Sequence, residues 1–215
     1  STPIKSSAAS DVYKRQELVF PMSQHIGAPA TPVVAVGDTV KMGQIIGEAS
    51  GFISANIVSS VSGEVKAVEP RLLSSGAKAT CVVIANDGEY QPVEGLGADR
   101  DYTQLTKEEI RQIIKDAGIV GMGGAGFPTN VKVTPKNEEE IDYVIVNGAE
   151  CEPYLTSDYR LMLERPEDLI QGLHVVLSLF DNAKGVIAIE DNKPEAIAKL
   201  QYLTDSDPDI EVKVL

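Results

Sequence analysis

The stretch Gly121-Met-Gly-Gly-Ala-Gly-Phe-Pro-Thr-Asn-Val-Lys132 decides how this chain is read. It places four glycines in six positions. In such a loop, backbone N–H groups approach a phosphate or a flat ring with no side chains in the way. There is no Gly-Lys-Ser/Thr ending, so it is not a Walker loop. A helical pattern precedes it where the dinucleotide fingerprint requires a strand, so that fingerprint is excluded too. Alone, the cluster also fits a tight connection between elements. Phe127, Pro128 and Lys132 add the ligand reading: an aromatic ring beside a glycine platform stacks on a flat ring, and the lysine meets a phosphate.

Upstream of the loop, Thr106 and Glu109 have the spacing of a capping box, with Ile110, Ile113, Ile114 and Ala117 on one helical face and Gly118 as the stop. Downstream, the apolar run Ile141 to Val146 predicts a strand. It ends in a second charged loop, Asn147-Gly-Ala-Glu-Cys-Glu-Pro153. Groups at the carboxyl end of a strand in an α/β sheet are placed for ligands. Asn147 offers donor and acceptor, while Glu150 and Glu152 accept from ribose hydroxyls or ring N–H groups. The plainer reading of these carboxylates is a solvated loop. A helix opened by Pro166 follows, with Leu169, Leu173, Val176, Leu177 and Phe180 as its buried stripe. Strand Gly185 to Ile189, a helix from Asn192 to Leu203 and strand Ile210 to Leu215 complete an alternating α/β pattern.

Before residue 96 the texture differs. Val33 to Val36, Ile45-Ile46, Ile57-Val58, Val65 to Val68 and Thr80 to Ile84 are short candidate strands. Turn residues at Gly37-Asp38, Lys41 to Gly43, Ser62-Gly63 and Asp87-Gly88 punctuate them. Such dense turns predict a small sandwich or flattened barrel. Residues 1–16 lack usable periodicity and read as a disordered or foreign leader.

The net charge of −13 argues against nucleic acid, whose binding rests on clustered Lys and Arg. No run approaches the ~18–20 apolar residues of a membrane-spanning helix. Cys81 and Cys151 are the only cysteines, too few for a four-cysteine iron–sulfur cluster, and they fit a reducing compartment. Cys81 reads as a small buried hydrophobe, His25 as a loop hydrogen-bonder, His174 as the flank of a helix, and Glu138 to Glu140 as a solvated turn. Neither a catalytic side chain nor a metal ligand is assigned.

Gly121 to Lys132 resembles the flavin-binding glycine loop of the NADH-oxidising subunit of respiratory complex I, and Asn147 to Pro153 resembles that subunit's acidic loop. The fuller wording looks more like the RnfC family, the C-type subunits of Rnf electron-transport complexes, which are ion-translocating ferredoxin:NAD oxidoreductases. It comprises the glycine loop, the acidic loop continued through Tyr154, Asp158-Tyr-Arg-Leu-Met162, Phe20-Pro-Met-Ser-Gln-His-Ile-Gly-Ala-Pro29 and Ile189-Glu-Asp-Asn-Lys-Pro194. The resemblance runs from about Glu17 to Leu215.

That resemblance implies an α/β chain. A Rossmann-like FMN/NADH-binding domain over 96–215 would follow a barrel-sandwich hybrid (lipoyl-like) β-domain over 17–95. It implies FMN and NAD(H) as cofactors. Gly121, Gly123, Gly124 and Gly126 would approach FMN, with Lys132 near its phosphate. Asn147, Glu150 and Glu152 would line the flavin and NADH side, Phe127 would stack on nicotinamide or adenine, and Glu190, Asn192 and Lys193 would close the pocket. Met122 stands where the complex I loop usually carries Arg, so one anionic contact is missing.

The implied function is that of the NADH-side subunit of a membrane-bound complex, an NADH:ferredoxin-type oxidoreductase. It would transfer hydride between NAD(H) and FMN and pass electrons to 4Fe-4S clusters. Those clusters belong to the intact subunit, after a β-grasp segment, so this fragment is not expected to complete electron transfer. Implied partners are the other Rnf-type subunits, including a ferredoxin-linked iron–sulfur subunit. The expected place is peripheral, on the cytoplasmic face of the bacterial inner membrane, touching membrane only through partners. Two rivals stay open: a flavin-free quinone-reductase-type subunit, and a non-catalytic docking scaffold. The hairpin stretch Ala55 to Gly63 has no lysine for a carrier group, so its role reads as structural or docking.

Overall fold

The computed structural model describes residues 16–122 and 126–215. The leader, apart from residue 16, and Gly123 and Gly124 therefore lie outside the described residues. The chain divides into two compact units, Ser1–Arg100 with Arg111–Lys132, and Asp101–Ile110 with Val133–Leu215.

The first unit is built on two antiparallel sheets. One has the order β1 (Glu17–Pro21), β7 (Lys78–Asn86), β6 (Gly63–Leu72), β3 (Thr39–Val40). The other runs β2 (Thr31–Pro32), β4 (Ile45–Glu48), β5 (Ile57–Val58). Burial alternates at the start of β6, where Gly63 and Val65 are buried, whereas β7 buries Cys81 to Ile84 in succession. Phe20, Val65, Val82 and Ile84 from the first sheet meet Ile46 and Ile57 from the second in one core that also holds Met22, Ala30, Val40 and Val61. Cys81 is fully buried, as a small hydrophobe should be.

Two local readings need correction. The run Val33 to Val36 is not a strand, and pairing instead falls on Thr31–Pro32. The Asp38 carboxylate accepts from the Ala35 N–H at 2.7 Å, and Gly37 turns with φ +94°, so the run is drawn into a turn. β1 was not anticipated either. Its five residues pair with β7 in a register from Glu17↔Ala85 to Pro21↔Cys81, a partnership about sixty residues away in sequence that local pattern cannot signal.

Helix α1 (Lys107–Asp116) gives its first turn to the second unit and the remainder to the first. Its capping box forms as the spacing predicts: Thr106 N–H donates to Glu109 Oε2 at 2.8 Å, and Glu109 N–H donates to Thr106 Oγ1 at 3.2 Å. Ile110 and Ile114 are buried and Ile113 is half-buried, whereas Ala117, past the end of the helix, is exposed. The segment then passes the glycine loop to a single helical turn, α2 (Thr129–Lys132).

The second unit is a parallel three-stranded sheet of order β10 (Ile210–Val214), β9 (Lys184–Ile189), β8 (Tyr143–Gly148). Parallel neighbours need crossovers. Here α3 (Ser157–Glu164) and α4 (Pro166–Leu177) join β8 to β9, and α5 (Pro194–Thr204) joins β9 to β10. The alternation read from the sequence is therefore present, with α3 as an added helix. Met162, Leu173, Leu177, Ile187, Ile189, Ala196, Leu200 and Ile210 form the core. On the α4 stripe, Leu169 and Val176 are half-buried, and Leu179 takes the fully buried place expected of Phe180. None of the described helices is long and apolar enough to cross a membrane.

Candidate functional site

In the first unit the described residues on either side of the glycine loop pair with each other. Val120 bridges Pro128, the Gly121 N–H donates to Phe127 O at 2.9 Å, and the Thr129 N–H donates to Ile119 O at 2.9 Å. A cleft of about 520 Å³ opens beside it. Gly121, Met122 and Gly126 line one side, with Phe20, Gln24 and Ser60 among the residues of the β-rich part that line the other. Met122 is almost wholly exposed. Phe127 is half-buried, and Lys132 is exposed at the end of α2 with no carboxylate against it among the described residues. His25 is a loop hydrogen-bonder as read: Nε2 accepts from the Ala55 N–H at 3.2 Å and Nδ1 lies 3.1 Å from Ile26 O. That pattern fits a neutral ring with its proton on Nδ1.

In the second unit β8 and β9 end side by side, with Gly148 opposite Ile189. Their carboxyl ends deliver the acidic loop and Glu190 to one place, where ligands sit in open α/β sheets. Asn147 is exposed, and its Oδ1 accepts from the Ala149 N–H at 3.1 Å, fixing a turn. Glu150 is fully engaged. One oxygen accepts from the Asp158 N–H at 2.8 Å and the Ser157 hydroxyl at 3.2 Å; the other accepts from the Tyr159 N–H at 3.2 Å. These are the first N–H groups of α3, which its own N-cap residue Thr156 leaves without a side-chain acceptor. Burial works to raise the Glu150 pKa. The Asp158 and Tyr159 N–H groups, the Ser157 hydroxyl and the Lys193 ammonium outweigh it, so the carboxyl sits below its ordinary value.

Glu152 is exposed; its backbone carbonyl accepts from the Leu155 N–H at 3.2 Å, and its carboxylate has no partner among the described residues. Tyr154 is fully exposed at φ +66°, an uncommon backbone for a residue other than glycine. Lys193 Nζ lies 3.8 Å from Glu190 Oε2, 2.6 Å from Asn192 Oδ1 and 5.9 Å from the centre of the Tyr159 ring. Glu190 Oε2 is buried and lacks a hydrogen bond among the described residues. Tyr159 donates to Glu195 Oε2 at 3.1 Å. Burial, then this bond and the charge of Glu195, raise the Tyr159 pKa.

The structure thus brings Glu150, Glu190, Asn192 and Lys193 together in the second unit, and Gly121 and Gly126 together on the cleft of the first. Tyr159 and Glu195 were missed, since a tyrosine and a glutamate on helices carry no loop signal. Asn56, whose side chain reaches the end of α1, was missed because its partners lie about sixty residues away. Away from both loops, His174 Nε2 meets Asp207 Oδ2 at 2.8 Å, and Glu138 pairs with Lys107 at 4.0 Å.

Comparison with known proteins adds two family matches. Residues 3–89 match the RnfC barrel sandwich hybrid domain, and residues 114–215 match the Nuo51 FMN-binding domain. Among individual proteins, the chain is 44% identical over 185 residues to the C-type subunit of the proton-translocating ferredoxin:NAD(+) oxidoreductase complex of Clostridium ljungdahlii, covering 86% of this chain and 40% of that one. It is 42% identical over 199 residues to the C-type subunit of the Na(+)-translocating ferredoxin:NAD(+) oxidoreductase complex of Acetobacterium woodii, covering 93% and 45%. It is 40% identical over 194 residues to the C-type subunit of the ion-translocating oxidoreductase complex of Vibrio cholerae, covering 89% and 25%. The chain therefore spans less than half the length of these curated relatives.

Proposed function

The chain belongs to the RnfC family, the C-type subunits of ion-translocating ferredoxin:NAD oxidoreductases, and on that premise we propose that it is the part of such a subunit that binds FMN and exchanges hydride with NAD(H). The observation that carries this reading is the cleft beside the glycine loop. In a chain whose residues 114–215 match an FMN-binding domain, Gly121 and Gly126 line that cleft without side chains. An exposed Lys132 is available for a phosphate. These groups suit FMN in kind: a flat ring against backbone and a dianion against an ammonium.

Bound FMN would supply hydride acceptance and one-electron transfer, chemistry that no side chain of the chain provides. The chain's own part is binding and orientation. Gly121, Gly123, Gly124 and Gly126 hold the flavin, Lys132 its phosphate, and Phe127 offers a ring face. In the second unit, which we read as Rossmann-like from its parallel strands and crossover helices, Asn147 and Glu152 offer the exposed groups for a nicotinamide nucleotide. Glu190, Asn192 and Lys193 border them. Glu150 serves this region by holding α3 to the acidic loop.

In the whole subunit we place 4Fe-4S clusters as the electron acceptors and the other Rnf-type subunits as partners, the subunit lying on the cytoplasmic face of the membrane. FMN titration with fluorescence quenching tests the binding step. Saturable quenching that is weakened by K132A supports the reading. Quenching that never saturates leaves the docking-scaffold reading ahead.

A further inference from the structure

The segment that leaves α1, forms the glycine loop and enters α2 is fastened to the β-rich part of its own unit at both ends. At the leading end stands Asn56, only 7% exposed. Its amide nitrogen donates to Lys115 O at 3.3 Å and lies 3.5 Å from Asp116 O, while its oxygen accepts from the Ala49 N–H at 2.9 Å. Lys115 and Asp116 close α1, and the last carbonyls of a helix have no partner within it. Two residues on, Gly118 sits at φ +64°, where an added Cβ would stand 2.3 Å from Asn56 O. At the trailing end Gly126 sits at φ +60°, and its Cβ would stand 2.8 Å from Gln24 O and 2.9 Å from His25 Cα. Only glycine fits either contact. His25 is itself locked by bonds to Ala55 and Ile26. One fixed surface therefore receives both ends of the loop, and the cleft lies between loop and surface.

We propose that Asn56 is a positioning residue for the glycine loop, and that the β-rich surface around it sets the width of the cleft that receives the flat ring of the flavin. The second clause rests on the reading of FMN as the ligand; the first does not. Substitution by aspartate isolates the contact. N56D keeps the oxygen that accepts from Ala49 and the side-chain shape. It removes the donor and turns a carboxylate toward carbonyls at the negative end of a helix.

The test uses the full chain. Hydrogen exchange without ligand is read at the Gly121 and Thr129 amides, whose bonds join the two sides of the glycine loop, and FMN affinity is read by fluorescence. We expect N56D to speed exchange at those two amides by about tenfold, leave β6 and β7 protected, and weaken FMN binding by about tenfold. N56Q, which restores a donor on a longer arm, should recover part of both. Unchanged exchange at Gly121 and Thr129, or equal acceleration throughout the β-sheets, would overturn the proposal. Wild-type chain that binds no FMN, with exchange still responding to N56D, would sink the flavin reading and support the positioning role.

Discussion

Glu150 shows why a residue's type and its place in a loop do not settle its role. As a loop carboxylate it reads as a ligand for ribose or ring N–H groups. In the fold it completes the N-terminus of α3, accepting from the Ser157 hydroxyl and the Asp158 and Tyr159 N–H groups. Its folded pKa lies below the ordinary 4.5, so its contribution to stability is present above that value and is lost as pH falls through the folded pKa. E150A should lower the melting temperature at neutral pH, and E150Q, which keeps one acceptor, should lower it less. The gap between wild type and E150A should close as the pH drops below 4.5. A gap that persists undiminished in acid would contradict the capping role. Tyr159 titrates in the opposite sense. Its raised pKa means that stability from its bond to Glu195 holds below the ordinary 10.0 and is lost at higher pH.

At the scale of elements, what the sequence shows is what depends on near neighbours. The capping box of α1 spans three residues and forms as spaced. T106A should cost about 1 kcal/mol by urea unfolding. Adding E109A should cost less than the two changes separately, because each removes the same pair of contacts. Additive losses would show that the two residues act apart. Pro166 opens α4 at the residue read from the sequence, since a proline tolerates only the first turn. β9 and β10 also appear within one residue of their expected bounds. The elements that escaped notice are those with distant partners. β1 exists through β7, and the contact of Asn56 with the end of α1 joins residues about sixty apart. The start of α3 depends on Glu150, seven residues back, beyond the reach of any capping motif. In the core of the second unit, Leu200 is fully buried, and L200A should cost about 2–5 kcal/mol by loss of transfer energy and an unfilled cavity. A loss under about 1 kcal/mol would mean that the helix α5 can collapse over the gap.

At the scale of the molecule, the expectation of two ligand loops was legible in the wording of the glycine and acidic segments. Their anchoring was not. Gly118 and Gly126 read as one terminator and one cradle residue, and each proves to sit against the backbone of the β-rich part. Gly118 and Gly126 therefore let the loop lie close to its base, a purpose separate from the ligand access proposed for the loop's glycines. In the lysine-free stretch Ala55 to Gly63, the Asn56 side chain makes a structural contact with the end of α1. The net charge of −13 makes the protein's overall field repel a phosphate, so the proposed flavin binding would rest on local N–H groups and Lys132. Flavin binding is accordingly expected to tighten with moderate salt, which screens the repulsion.

The central claim is that this chain holds a redox-competent flavin. Its most direct test is to load the purified chain with FMN, remove the excess, and follow the visible flavin absorption under anaerobic conditions while NADH is added. The account predicts that flavin stays with the protein and that its absorption bleaches on addition of NADH, with K132A retaining less flavin. Protein that emerges without flavin, or retained flavin that NADH leaves oxidised, would contradict it.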